Sequence, residues 1–241
     1  PYEMNTQLFT DYASKYRFIF VPPTAGPATY SEHEVMNFPV GSVLVKTFTV
    51  PKNTSNRDGT EHVMETRLLI HRTTGWEAVP YYWSSENNAQ YISYGESIDV
   101  STTHDGKKLK FNYGIPTKNE CTNCHGINPI VIKDENGDTI PDDRIAIFKP
   151  IGPKARYLNW DIDYGNDEIK NQLTKWEEEG ILTGSPSDKT TIVTAATFDD
   201  SVDIQKLSTS ELNLAARSYL DINCAHCHRS ELTLEEPNYS G

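Results

Sequence analysis

Apolar and β-branched residues gather between 38 and 113 into short runs separated by turn residues, the pattern of successive strands. The clearest run is Val43-Leu44-Val45-Lys46-Thr47-Phe48-Thr49-Val50, bounded by Gly41 and Pro51. Its β-branched content predicts a strand over 43–50. Further strands are expected at 63–71, 79–83 and 91–100, and Asp105-Gly106 between 98–103 and 107–113 predicts a hairpin. Before this region, Leu8, Tyr12 and Tyr16 recur every four residues, with Thr6 placed to cap, and predict a helix over 6–16. Pro22, Pro23, Gly26 and Pro27 then interrupt regular structure.

The pattern changes after 128. Two short runs, 130–133 and 139–140, flank Asn136-Gly137 and predict a second hairpin. Asp134, Asn136 and Asp138 alternate as in a calcium loop, but the glycine falls one position late and no glutamate closes the loop, which favours the hairpin turn. Ile169, Leu173 and Trp176 share a face and predict a helix over 166–180, stopped by Gly180. Ser208-Thr209-Ser210-Glu211 is a capping box opening a helix through Leu212, Ala215, Ala216, Tyr219 and Leu220. The expected fold class is α+β. An antiparallel sheet domain over 1–128 precedes a hairpin and mainly helical segment over 129–241.

Composition narrows the function classes. The chain of 241 residues has no apolar run approaching the roughly 20 residues needed to span a bilayer; the longest, 18–21, ends at Pro22-Pro23. A net charge of −12 repels phosphate backbones and anionic lipid, so nucleic acid is not expected as a partner; such a surface suits a basic partner or simple solubility. Aromatic residues at 10% and charged residues at 23% describe a globular chain. No signal peptide is visible at Pro1-Tyr2-Glu3, so the chain is expected to be mature or trimmed.

The four cysteines fall as two units of one pattern: Cys121-Thr122-Asn123-Cys124-His125 and Cys224-Ala225-His226-Cys227-His228. Two thiols three positions apart can reach the two vinyl groups of a haem as thioethers, and the next imidazole is then held where it can ligate iron. Zinc is the chemical rival, since C-x-x-C pairs also bind it. Zinc ribbons, however, place their second pair about 15–20 residues on, and these pairs start at 121 and 224. A disulfide across either pair would be strained and would leave the histidines without a role. The sequence therefore predicts two covalently bound c-type haems, attached through Cys121 and Cys124 and through Cys224 and Cys227. His125 and His228 are the expected proximal iron ligands. Bacterial attachment of such haems takes place outside the cytoplasmic membrane, so the expected location is periplasmic or secreted.

Residues 30–130 resemble the cytochrome P460 and cytochrome c′-β family. The resemblance lies in Phe38-Pro39-x-Gly41 followed by a strand carrying Lys46, a second hydrophobic strand, Gly75-Trp76, and a C-x-x-C-H after the sheet. The whole chain resembles secreted dihaem c-type cytochromes through three further stretches: Pro150-Ile151-Gly152-Pro153-Lys154-Ala155-Arg156, Gln172-Leu173-x-x-Trp176 and the run from Ala216 to His228. In the P460 branch a strand lysine is cross-linked to the haem and converts a carrier into an oxidase of hydroxylamine or nitric oxide. The resemblance makes Lys46 the candidate for such a pocket lysine. It also implies a homodimer by analogy.

A sixth iron ligand separates a carrier from a gas-binding or catalytic haem. All three methionines, Met4, Met36 and Met64, precede the first motif, and only a short tail follows His228. Three readings stay open: a chain continuing past Gly241, a ligand reaching over from the first half, or an open iron. The pool for the second comprises Met36, Met64, His33, His62, His71 and His104, with His71 and His104 favoured among the histidines. His226 is expected at the surface. The expected function is electron transfer between redox partner proteins, membrane-bound respiratory components among them. The alternatives are a haem enzyme or gas-binding protein acting on NO, hydroxylamine or peroxide, and a structural zinc protein.

Overall fold

The expected strand signals resolve into one antiparallel sheet and one separate hairpin. The computed structural model describes residues 1–56, 58–127, 132–133, 136, 139–140, 147–197 and 202–228. Its first eight strands are β1 (Ser14–Phe20), β2 (Ala28–Thr29), β3 (Val43–Val50), β4 (His62–Arg72), β5 (Gly75–Ser85), β6 (Asn88–Tyr91), β7 (Glu96–His104) and β8 (Lys107–Ile115). The main sheet has the order β1-β3-β4-β5-β6, with every neighbour antiparallel. Strands β7 and β8 pair with each other across Asp105-Gly106, both at positive φ, as the Asp-Gly signal requires.

The stretch expected as one strand over 91–100 is divided between β6 and β7. Gly95 lies between them at φ +76, where an added Cβ would stand 2.8 Å from the Ile115 carbonyl oxygen. Only glycine fits that close turn.

The helix expected over 6–16 does not form. Residues 10–13 make a turn, with Asp11 and Tyr12 at positive φ, and the chain then enters β1. Asn5 and Thr6 are buried, and their side chains bond the carbonyls of Ala195 (2.7 Å) and Ala196 (2.5 Å) instead of capping a helix. The period that decides this segment is two. Lys15 and Arg17 point inward and are buried, while Phe18 and Phe20 are exposed.

Beyond β8 come α1 (Cys121–His125), β9 (Gly126–Ile127), β10 (Ile132–Lys133), β11 (Thr139–Ile140) and β12 (Ile147–Phe148). The second expected hairpin is present as the β10–β11 pair, Ile132 opposite Ile140; Asp134, Gly137 and Asp138 of its turn lie outside the described residues. Then follow α2 (Ala155–Leu158), β13 (Asp161–Asp163), β14 (Ile169–Asn171), α3 (Gln172–Glu178), β15 (Leu182–Thr183) and α4 (Thr209–Asn223). The helix expected over 166–180 is shorter than its sequence pattern. Asn166 and Asp167 adopt positive φ and turn the chain into the β13–β14 pair, and α3 starts after Asn171, whose side chain accepts from the Leu173 and Thr174 amides. Gly180, at φ +70, follows the helix end as expected. The capping box of α4 is complete, with Ser208 and Glu211 bonding each other's amides.

The fold is thus mixed α and β, with a mainly antiparallel sheet and few helices. One core lies between the sheet and the β7–β8 hairpin, built from Phe48, Val50, Met64, Val100, Tyr113 and Ile115. The larger core takes Tyr2, Met4, Phe38 and Leu44 from the first half and Tyr157, Leu158, Leu173, Trp176 and Ile222 from the second. β2 and β15 pair in parallel, so the division expected at 128 is crossed by backbone pairing as well as by packing. No helix of the described residues is long and apolar enough to cross a membrane.

Candidate functional site

The site is built where the main sheet meets the first cysteine motif. Short helix α1 carries Cys121, Cys124 and His125 on one turn, with Cys121 buried and Cys124 exposed. These three residues line a cavity of roughly 1090 Å³, open solvent included. The opposite wall comes from the sheet face carrying Lys15, Arg17, Leu44, Lys46, Arg67 and Leu69.

His125 is held in one orientation by its neighbours. Its Nδ1 stands 2.8 Å from the Lys149 carbonyl oxygen, and its ring stacks on Phe148 with centroids 5.2 Å apart. A carbonyl partner fixes the proton on Nδ1 and leaves the Nε2 lone pair for a metal, a common arrangement around ligating histidines. Burial, reinforced by the nearby Lys46 charge, pushes the imidazole down to about 3, so it is neutral at physiological pH. Cys121 is shifted the other way, upward, chiefly by burial.

Lys46 lies in this same cavity. Burial first, then the charges of Arg67 and Arg17, lower its ammonium to about 7. Its Nζ sits 5.2 Å from the centre of the Phe48 ring. Arg67 holds Glu65 through two bonds of 2.8 and 2.5 Å, and Tyr113 donates to the same carboxylate at 2.6 Å.

The second motif follows α4 directly. Cys224 is half-buried, and Cys227 and His228 are exposed. His226 is buried, 8% exposed, contrary to the surface position expected from sequence. The reason is tertiary: His226 and Cys227 turn toward the first motif, and the ligand atoms of Cys124, His226 and Cys227 lie within 4.8 Å of one another. Cys227 Sγ stands 3.6 Å from the Asn123 carbonyl oxygen. Two motifs far apart in sequence are therefore neighbours in space.

The residues present fit a covalent haem at the first motif: two thiols and a neutral, carbonyl-oriented imidazole face one cavity with apolar and cationic walls. The second motif lines a different environment, since none of Cys224, Cys227 or His228 lines that cavity.

The distal candidates are distributed otherwise than expected. Met36 and Met64 are buried in the larger and smaller cores. His71 bonds the Phe38 carbonyl through Nδ1 at 2.9 Å and stacks on Trp76, and His104 pairs with Thr54 at 2.8 Å. His33 and His62 are exposed. None of these six lines the cavity, whereas Met4 does. Its proximity to α1 arises from docking of the N-terminal segment against residues 150–157, which no local pattern in the sequence announces.

Comparison of the chain with family models, with curated proteins and with solved structures returned no match.

Proposed function

We propose that the protein is an extracytoplasmic dihaem c-type cytochrome that passes electrons between redox partners. The observation that carries this reading is the first motif. Cys121, Cys124 and His125 share one cavity wall, and the histidine is held in the tautomer a metal needs. A bound haem would supply a one-electron couple there. The chain's own residues would attach it through two thioethers, from Cys121 and Cys124, orient His125 through Lys149, and line the cavity with the apolar side chains of Leu44, Leu69 and Ile151. The adjacency of the two motifs supports exchange between the two centres.

Two further readings have an observation each. The cavity takes Lys46 into its wall opposite the motif, which favours a reactive or gas-binding haem. The Cys124–His226–Cys227 grouping supplies two thiolates and an imidazole, the donor set of a zinc site.

A visible spectrum of dithionite-reduced protein, made with a working haem-attachment system and recorded before and after carbon monoxide, separates all three. The carrier reading expects sharp low-spin bands unmoved by the gas. A shifted Soret band would transfer the protein to the gas-binding class. Absence of a Soret band, with zinc recovered on elemental analysis, would replace haem by the thiolate metal site.

A further inference from the structure

His226 stands between the two cysteines of the second motif, a position that haem attachment leaves open to any residue. The fold nevertheless buries it, beside the first motif. Its ring, the Cys124 sulfur and the Cys227 sulfur bring three ligand atoms within 4.8 Å of one another. The grouping draws one thiol from each motif. Cys121, buried and bonded through Sγ to the Thr117 carbonyl at 3.4 Å, is outside it, and so is the half-buried Cys224.

Two thiolates and an imidazole are a donor set for a borderline-soft divalent cation. Around tetrahedral zinc, with bonds of about 2.0–2.3 Å, donor atoms stand about 3.4–3.8 Å apart. The three atoms here already meet at a distance of that order. Both thiols, which would close the remainder by rotating about χ1, are on exposed residues, while the imidazole is buried. Cys227 Sγ also stands 3.6 Å from the Asn123 carbonyl oxygen, a contact that brings the second motif to α1. The net charge of −12 favours the approach of a cation.

We propose that Cys124, His226 and Cys227 form a three-ligand site for a thiophilic divalent cation of the zinc class in the chain before haem is attached, and that one bound ion blocks haem attachment at both motifs. The ion precedes haem and does not replace it as the protein's cofactor. A fourth position is left to water. Each thiol gives its proton to solvent as its sulfur–metal bond forms, so two protons leave per ion and no electron moves. A sulfur held in this way has lost the S–H that adds across a haem vinyl group, and the ion holds one sulfur of each pair. The metal site stands without the haem reading; the blocking effect rests on it.

Calorimetric titration of the reduced, haem-free full chain with zinc chloride tests the site, with circular dichroism of the same samples as the measure of folding. One ion per chain is expected, with two protons released, read from the buffer dependence of the heat. Cys124→Ser, Cys227→Ser and His226→Gln should each weaken binding at least about a hundredfold, since loss of a merely supporting residue already costs about 10–100-fold. Cys121→Ser and Cys224→Ser should leave it unchanged. Equal losses from Cys121→Ser and Cys124→Ser, or a second ion per chain, would assign the metal to the local C-x-x-C pairs and overturn the proposal, in a folded or an unfolded chain alike. So would absence of saturable binding.

Expression with a haem-attachment system, with and without added zinc, tests the blocking effect, and covalent haem per chain is read by mass. Zinc should lower haem at both motifs in the wild type and leave His226→Gln loaded. An equal fall in both chains, or loading insensitive to zinc, would overturn the blocking effect. Wild type without covalent haem even in the absence of zinc would be a failure of the haem reading itself, and the titration would still decide the metal site.

Discussion

Glu65 shows how single residues hold the cavity wall together. Its carboxylate is fully buried and takes two bonds from Arg67 and one from Tyr113. The same contacts leave Arg67 over the Phe48 ring, 4.4 Å from its centre, so the ion pair also sets the packing over that ring. Removing one partner of a buried pair strands the other charge, which is far costlier than removing both. Glu65→Gln is therefore expected to destabilise the fold by roughly 3–5 kcal/mol, read from the urea midpoint at unchanged slope. The double replacement Glu65→Leu with Arg67→Met should recover much of that loss. A single variant within about 1 kcal/mol of wild type would mean that solvent reaches the pair and screens it.

The elements divide into those a local pattern settles and those it does not. The strand at 43–50, the Asp-Gly hairpin and the capped helix before Cys224 were legible, because β-branching, turn chemistry and a capping box act within a few residues. The helix expected over 6–16 was not, because its aromatic spacing competes with an inward pair of cations that makes sense only opposite β3. The start of α3 was misplaced for a related reason. Ile169 continues the apolar spacing but is exposed, and the true boundary is Asn171, whose side chain satisfies two free amides of the first turn. Asn171 also donates to Asn159 at 2.9 Å, tying the cap to the loop after α2. Asn171→Ala should therefore cost about 1–2 kcal/mol, and Asn171→Asp, which keeps the accepting oxygen, clearly less. Equal losses in the two variants would place the effect in the Asn159 bond and not in the cap. That Cys121, Cys124 and His125 share one cavity wall was legible, because their spacing puts them on a single turn. Met4, the inward Lys15 and Arg17, and the approach of His226 to Cys124 were not, since each depends on strands and helices meeting across the fold.

At the scale of the whole molecule, the second motif follows α4 directly, and one carboxylate of α4 ties that helix to α2. Asp221 precedes Cys224 by one turn and gathers Arg156 at 2.7 Å, the Tyr157 hydroxyl and the Lys154 ammonium at 3.7 Å. Arg156 in turn donates to the His33 carbonyl at 2.7 Å, so this one cluster joins α4, α2 and the loop before β3. Burial alone would raise the Asp221 carboxyl, but the bonds from Tyr157 and Arg156 and the charge of Lys154 outweigh it and hold the group below its ordinary range. The sign of the pH dependence follows. An unfolded aspartate titrates near about 3.9, so between pH 6 and 8 it is ionised in both states and the cluster contributes in full. As pH falls below about 4, the unfolded chain takes up its proton first, and this part of the stability declines. Asp221→Asn should cost about 2 kcal/mol near neutrality, the range of a hydrogen bond to a charged group, and the gap to wild type should narrow steadily on acidification from pH 5 to pH 3. Because α4 leads directly into the second motif, the same variant should loosen that motif before the sheet, seen as faster amide exchange in 212–223 with β3 and β4 protected. A gap that stays constant with pH would show that Asp221 acts through packing and not through its charge. Uniform loss of protection would show that α4 unfolds only with the sheet, making the two motifs a single cooperative unit.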